Sequence, residues 1–200
     1  MRVELPWFRI GSSYGGNQDW MWDPWMHIGG CGALTACDSC IYFARYKGMP
    51  ELLPAGGAPR TKKEYIAFGM QMKPYLKPRR SGIDSVKTFA REFSVYLREK
   101  SSPVTMDTLF GEEPVQTAEA AIRSQLNQGI PVPVLTLKHA NKALKDYEWH
   151  WYLINGYSED DPQAGFQVKA VTYGHFEWIS LADLWDTGYE RTGGLILYRI

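Results

Sequence analysis

Cys31 and His150 are the residues of this chain whose types and surroundings could do chemistry together. Cys31 sits in Met26-His27-Ile28-Gly29-Gly30-Cys31-Gly32-Ala33-Leu34-Thr35-Ala36, at the joint between a glycine-rich turn and a helical pattern. A helix N-terminus presents unpaired N–H groups and a partial positive charge. Both favour thiolate over thiol, and the thiolate is the attacking form. The flanking glycines permit a tight turn and the close approach of a substrate backbone. His150, within Glu148-Trp149-His150-Trp151-Tyr152-Leu153-Ile154-Asn155-Gly156-Tyr157, is a base of the right type far downstream. A cysteine early and a histidine late, joined by folding, is a common source of a thiol nucleophile and its base. A cysteine is also commonly a small buried hydrophobe, so core filler stands beside nucleophile as a reading of Cys31.

The elements that must position the pair change character along the chain. From Cys31 to Lys47, Leu34, Cys37, Ile41 and Ala44 recur at helical spacing, with Gly48 as a stop. Residues 49–60 read as a loop, rich in proline and glycine. Thr61 and Glu64 have capping-box spacing and predict a helix that Pro74 and Pro78 end. Helices are also predicted over Ile83–Glu99 and Thr117–Asn127. The period then shortens. Val132–Leu137, Trp149–Tyr157, Phe166–Thr172 and Leu195–Ile200 read as strands, and Ser180 as the cap of a short helix over Leu181, Leu184 and Trp185. Helices first and antiparallel strands second is an α+β pattern in one domain over residues 1–200, with the Cys31 helix packed on the sheet that carries His150.

Lys+Arg and Asp+Glu both number 22 in 200 residues, so no basic excess points to nucleic acid. The apolar runs are short and charge-broken, which argues against a membrane partner. Met1–Phe8 does not read as a signal peptide, and three cysteines do not make a disulfide framework. A reduced, cytoplasmic protein is the expectation. Nothing in the sequence fixes an oligomeric state.

His27, Cys31, Cys37 and Cys40 could be read as zinc ligands, but Cys40 lies half a helical revolution from Cys31 and should point away. A redox pair at Cys37 and Cys40 would fall mid-helix rather than at a helix start. Both are therefore read as core fillers, with no metal and no cofactor expected. His139, His175, Asp146, Tyr147 and Glu148 are read as surface positions. Trp20, Trp22 and Trp25 crowd the approach to Cys31. Such rings line either a core edge or a cleft. Gly30, Trp25 and Trp149 are the expected substrate contacts.

Four stretches in order resemble the papain-like cysteine peptidases, in particular their peptidase C39-like branch: Asn17-Gln18 with Trp20–Trp25 and Gly30-Cys31-Gly32-Ala33; Ile122 to Val132; His150 to Tyr157; and Trp178-Ile179-Ser180-Leu181. They cover residue 17 to the end. The resemblance implies a papain-like fold, a peptide or related amide substrate, Cys31 as nucleophile, His150 as base and acid, and Gln18 as side-chain donor of an oxyanion hole. Gln18 lies farther upstream of Cys31 than the family's spacing has it. Thr172 stands where the family has Asp or Asn, and can accept from the His150 Nδ1–H without offering charge. Asn155 should face the other side of the sheet. A deamidase or acyltransferase with the same dyad, or a non-catalytic binding domain, are the other functions these residues allow.

Overall fold

The helix that begins at Cys31 organises the molecule. In the computed structural model, which describes residues 1–200, it runs over Cys31–Tyr46, and every residue from Cys31 to Phe43 is buried. Its sequence predicts one apolar face; the structure buries all of them. Gly32, Ala33, Ala36 and Ser39 are small enough for neighbours to approach on every side, as in helices enclosed by a core. Two short helical elements precede it: a 3₁₀ turn at Gln18–Trp20 and helix α1 at Pro24–Gly29, which makes the Cys31 helix α2. Then come α3 (Lys62–Met72), α4 (Val86–Glu99), α5 (Val115–Asn127) and α6 (Leu181–Trp185). Thr61 and Glu64 close the expected capping box on α3, and Ser180 caps α6 through the Asp183 N–H.

The strands are β1 (Arg2–Glu4), β2 (Arg9–Ile10), β3 (Ser13–Tyr14), β4 (Thr105–Phe110), β5 (Val132–Thr136), β6 (His150–Ser158), β7 (Gln167–Thr172), β8 (His175–Ser180) and β9 (Gly194–Arg199). Seven form one antiparallel sheet in the order β4-β9-β5-β6-β7-β8, with β1 added along the second half of β6. β2 and β3 form a separate hairpin. The molecule is thus mixed helix and antiparallel sheet, as its periodicity predicts. A single cluster of 49 buried residues spans the helices and both halves of β6. No helix is long and apolar enough to cross a membrane.

β1, β4 and β8 are additions to the sequence reading. β4 and β8 are half-exposed and polar, and no run of β-branched residues marks them. Their partners β9 and β7 are hydrophobic, and ladder hydrogen bonds recruit the flanking chain (Thr105↔Arg199 through Phe110↔Gly194; Gln167↔Ser180 through Thr172↔His175). β1 is tied by the nearly buried Lys169, whose Nζ reaches Glu4 Oε2 at 2.7 Å and the Tyr14 hydroxyl at 3.1 Å.

Candidate active site

Asp23 caps α1 by accepting from the Met26 N–H at 2.9 Å, and Pro24 opens it. Gly30 closes α1 and also starts α2: its N–H donates to Met26 O at 3.0 Å, and its own carbonyl accepts from Leu34. A side chain at Gly30 would stand 2.4 Å from Met26 O, and one at Gly29 would stand 2.1 Å from Arg79 O. These glycines therefore let the protein's own backbone close in. Gly30, an expected substrate contact, is buried at the junction of the two helices and is not among the residues that line the cleft.

The junction delivers Cys31 to a cleft of about 580 Å³, lined also by Gln18, His27, Ile28, Arg80, Ser81, Gly82, Trp149, His150 and Tyr173. The thiol is nearly sealed, at 4% residue exposure. Burial raises its pKa, and the N–H groups of Trp151, Gly32 and Cys31 itself recover part of that shift. The helix start favours the thiolate, as its position predicts, and burial, the larger influence, favours the thiol.

His150 opens β6, paired with Thr136 on β5. Its Nε2 lies 2.6 Å from Thr172 Oγ1, and its ring stacks on Tyr173 at 4.7 Å and 5°. Thr172 is thus the partner expected, but at Nε2 rather than Nδ1, which leaves Nδ1 as the nitrogen free to serve the cleft. Burial drives the imidazole pKa down to about 4. Cys31 and His150 share the cleft, and Trp151, the next residue, aims its N–H at the sulfur. No thiol–imidazole hydrogen bond joins them. Such contacts are often long in an apo site and tighten when substrate binds.

The backbone on either side of this pair carries strain. Trp149 has φ +53° and Tyr173 φ +49°, a left-handed conformation costly for bulky residues. Tyr173 and Gly174 (φ +77°) are the two central residues of the β7–β8 hairpin, as a type I′ turn requires. The β2–β3 hairpin and its exit hold that turn: Tyr14 N–H and Ser13 Oγ donate to Gly174 O, and Asn17 Nδ2 donates to Tyr173 O. An N-terminal clamp thereby fixes the ring under His150. Removing the hydroxyl with Thr172→Val leaves a buried ring nitrogen without a partner, expected to cost about 1–3 kcal/mol. Urea unfolding reads this out, and an unchanged midpoint would mean that the hydrogen bond is not formed in solution.

Gln18 lies at the cleft, but its amide is engaged. Nε2 donates to Met26 O (3.3 Å) and His27 O (2.8 Å), while Oε1 is buried without a partner. The expected oxyanion donor therefore braces the end of α1, because the tryptophan-rich insert folds into that helix directly above it. Trp149 lines the cleft, 39% exposed. Trp25 does not; it belongs to a separate surface hollow with Lys73, Pro74, Lys77 and Pro78. Asn155 donates to the Tyr14 hydroxyl, away from His150.

Three surface expectations are corrected. Tyr147 is buried and donates to Glu177. His139 is buried between Asp183 O and the Asn141 N–H. Glu148 is half-buried and accepts from the His139 N–H. Cys37 and Cys40 are fully buried in α2, and no cluster of three or more His, Cys, Asp or Glu side chains is arranged to hold a metal. The sequence reading missed Tyr173, the Arg80–Gly82 wall and the Trp151 N–H. No sequence signal marks that wall; in the structure Gly82 has φ +67°, and a side chain there would stand 3.7 Å from Cys31 Sγ.

No family model matches the chain, and no curated protein matches it in sequence.

Proposed function

We propose that the chain is a thiol hydrolase that cleaves a peptide or related amide through a Cys31 acyl-enzyme, on a papain-like arrangement of helix and sheet. The observation that carries this reading is the opening of Cys31, at a helix start, and His150, held at Nε2 by Thr172, into one cleft. With thiol and imidazole both neutral at rest, attack is base-assisted. His150 Nδ1 takes the thiol proton as Sγ bonds to the carbonyl carbon, and the C=O electrons move to oxygen. N–H groups at the start of α2 then face the oxyanion. Collapse expels the amine, which takes the proton back from His150, and water attacks the thioester under the same base. A deamidase or acyltransferase would use the same steps with a different leaving group or acceptor. Engagement of the Gln18 amide nitrogen by Met26 O and His27 O favours the second reading, a binding domain that keeps the dyad without turnover. A cytoplasmic setting fits three free thiols.

Limited iodoacetamide labelling with peptide mapping tests the reading, together with turnover of a peptide and amide library. Labelling at Cys31 is expected to precede labelling at Cys37 and Cys40, which are wholly buried, and turnover should vanish in Cys31→Ala. If no amide is turned over and no amide-mimicking electrophile acylates Cys31, the binding-domain reading replaces this one.

A further inference from the structure

Adjoining the pair is a second, small pocket of about 30 Å³, lined by Cys31, His150 and Thr172 and also by Gln18, Asp38 and Tyr65. About 10–15 Å³ is enough for one water, provided two or more polar groups face it. Four residues with such groups line it: Gln18, whose Oε1 is buried and unpartnered, Thr172, whose hydroxyl has its proton to give once Nε2–H donates to it, and the hydrogen-bonded pair Asp38 and Tyr65.

Asp38 is the feature that the proposed chemistry leaves unused. It is buried on α2 with no salt bridge; its Oδ1 accepts from the Tyr65 hydroxyl at 2.7 Å and its Oδ2 from the Gly16 N–H at 3.3 Å. A carboxylate buried without a cation is costly and is seldom kept without a use. The backbone is shaped around it: at Gly15, φ +81°, a side chain would stand 3.2 Å from Oδ2 and 3.0 Å from the Trp7 indole nitrogen.

Building on the thiol-hydrolase reading, we propose that Asp38 is a positioning residue for His150, its carboxylate acting through one buried water and the Thr172 hydroxyl to stabilise the imidazolium formed during attack. The chain of donors runs His150 Nε2–H to Thr172 Oγ1, Thr172 O–H to water, and water to Asp38 Oδ2. No proton leaves the chain: the thiol proton arrives at Nδ1 and returns to the leaving amine. Asp38 thus supplies the negative charge that Thr172 lacks. Of the titratable groups around Asp38, Tyr65 on α3 hydrogen-bonds it and Cys37 precedes it on α2, while Cys31 and His150 line the same pocket. Burial brings the Asp38 pKa up to about 7, and the Tyr65 hydrogen bond pulls against that rise.

The rate of Cys31 alkylation by iodoacetamide, followed from pH 5 to 9 (roughly two units either side of the Asp38 midpoint), tests the link. Above the steady rise that the thiol's own ionisation gives, the wild-type rate is expected to step up about tenfold as Asp38 ionises. Asp38→Asn should remove the step and leave only that steady rise, and Tyr65→Phe should move the step to higher pH by removing the bond that favours the carboxylate. A purely structural Asp38 would leave the midpoint in place. If Asp38→Asn fails to fold, the Tyr65→Phe midpoint decides. An unmoved midpoint there, or a wild-type step in Asp38→Asn, overturns the inference while His150-dependent alkylation keeps the hydrolase reading intact. Alkylation that His150→Ala leaves unchanged removes the hydrolase reading itself.

Discussion

Replacing His150 with alanine is expected to slow amide turnover by about 10²–10⁴-fold, the range a positioned general base contributes. The resting charge state is the reason. Burial raises the Cys31 thiol and lowers the imidazole to about 4, so at neutral pH the two sit as thiol and free base. A pre-formed thiolate would keep much of its reactivity without the histidine; a buried thiol cannot. Wild-type protein should accordingly show no ultraviolet thiolate absorbance at neutral pH. A strong thiolate signal that His150→Ala abolishes would replace base-assisted attack with an ion pair.

The same substitution has a signature in folding. A histidine with its pKa depressed in the native state contributes stability that is present above about pH 6.5 and lost as pH falls through about 4. Asp38, raised to about 7, has the opposite sign: its contribution is present below about pH 4 and lost as pH rises through 7. The first is about 3 kcal/mol and the second about 4, with equal and opposite slopes, so between pH 4 and 6.5 they offset one another. Wild-type stability should be nearly flat there. In His150→Ala the Asp38 slope is left alone, and the urea midpoint should fall as pH rises over that window. A flat variant profile would mean that Asp38 titrates near its unfolded value.

What the sequence made legible follows from where local signals dominate. The α2 start at Cys31, the capping box at Thr61 and the β6 strand at His150 are set by glycine chemistry, a side-chain cap and a hydrophobic run, and all three stand within a residue of their expected places. Thr172 is reached through the family resemblance, which puts a partner at the end of the strand after the His150 strand, and the β6–β7 register does bring the end of β7 beside the start of β6. The nitrogen it meets is not so reached, because the ring orientation depends on Tyr173 stacking beneath it and on the Ser13–Asn17 clamp more than 150 residues away in sequence. Gln18 was misjudged for a related reason. Sequence spacing counts residues, whereas the Trp20–Trp25 insert coils into α1 and offers two carbonyls to the amide before any substrate could. Burial, which sets both pKa shifts, has no local signature at all. Cys31 has the flanking residues of an activated cysteine and the desolvation of a core one.

The second large effect concerns the wall that covers that cysteine. Gly29 lies under the backbone of Arg79, where an alanine methyl would stand 2.1 Å from the carbonyl oxygen, far inside contact. The segment cannot easily yield: the Arg79 guanidinium pairs with Glu92 on α4 at 2.5 Å, and Arg79 O accepts from the Gly82 N–H at 2.9 Å. Gly82 in turn stands against Cys31 Sγ and Trp149 O. Gly29→Ala is therefore expected to cost about 3 kcal/mol, the upper end for overpacking, because backbone rather than a flexible side chain must move. The motion lifts residues 79–82 from the sulfur, and two readouts should diverge. Water reaching Cys31 lowers its pKa, so iodoacetamide labelling accelerates. Turnover falls, because the same wall helps set the carbonyl against the sulfur and small misplacements are costly to rate. Gly82→Ala, strained by its φ of +67° but free of any contact closer than 3.7 Å, should show the same divergence at smaller cost. If labelling and turnover fall together in both variants, the 79–82 segment is not a cover for the thiol, and Gly29 serves packing alone.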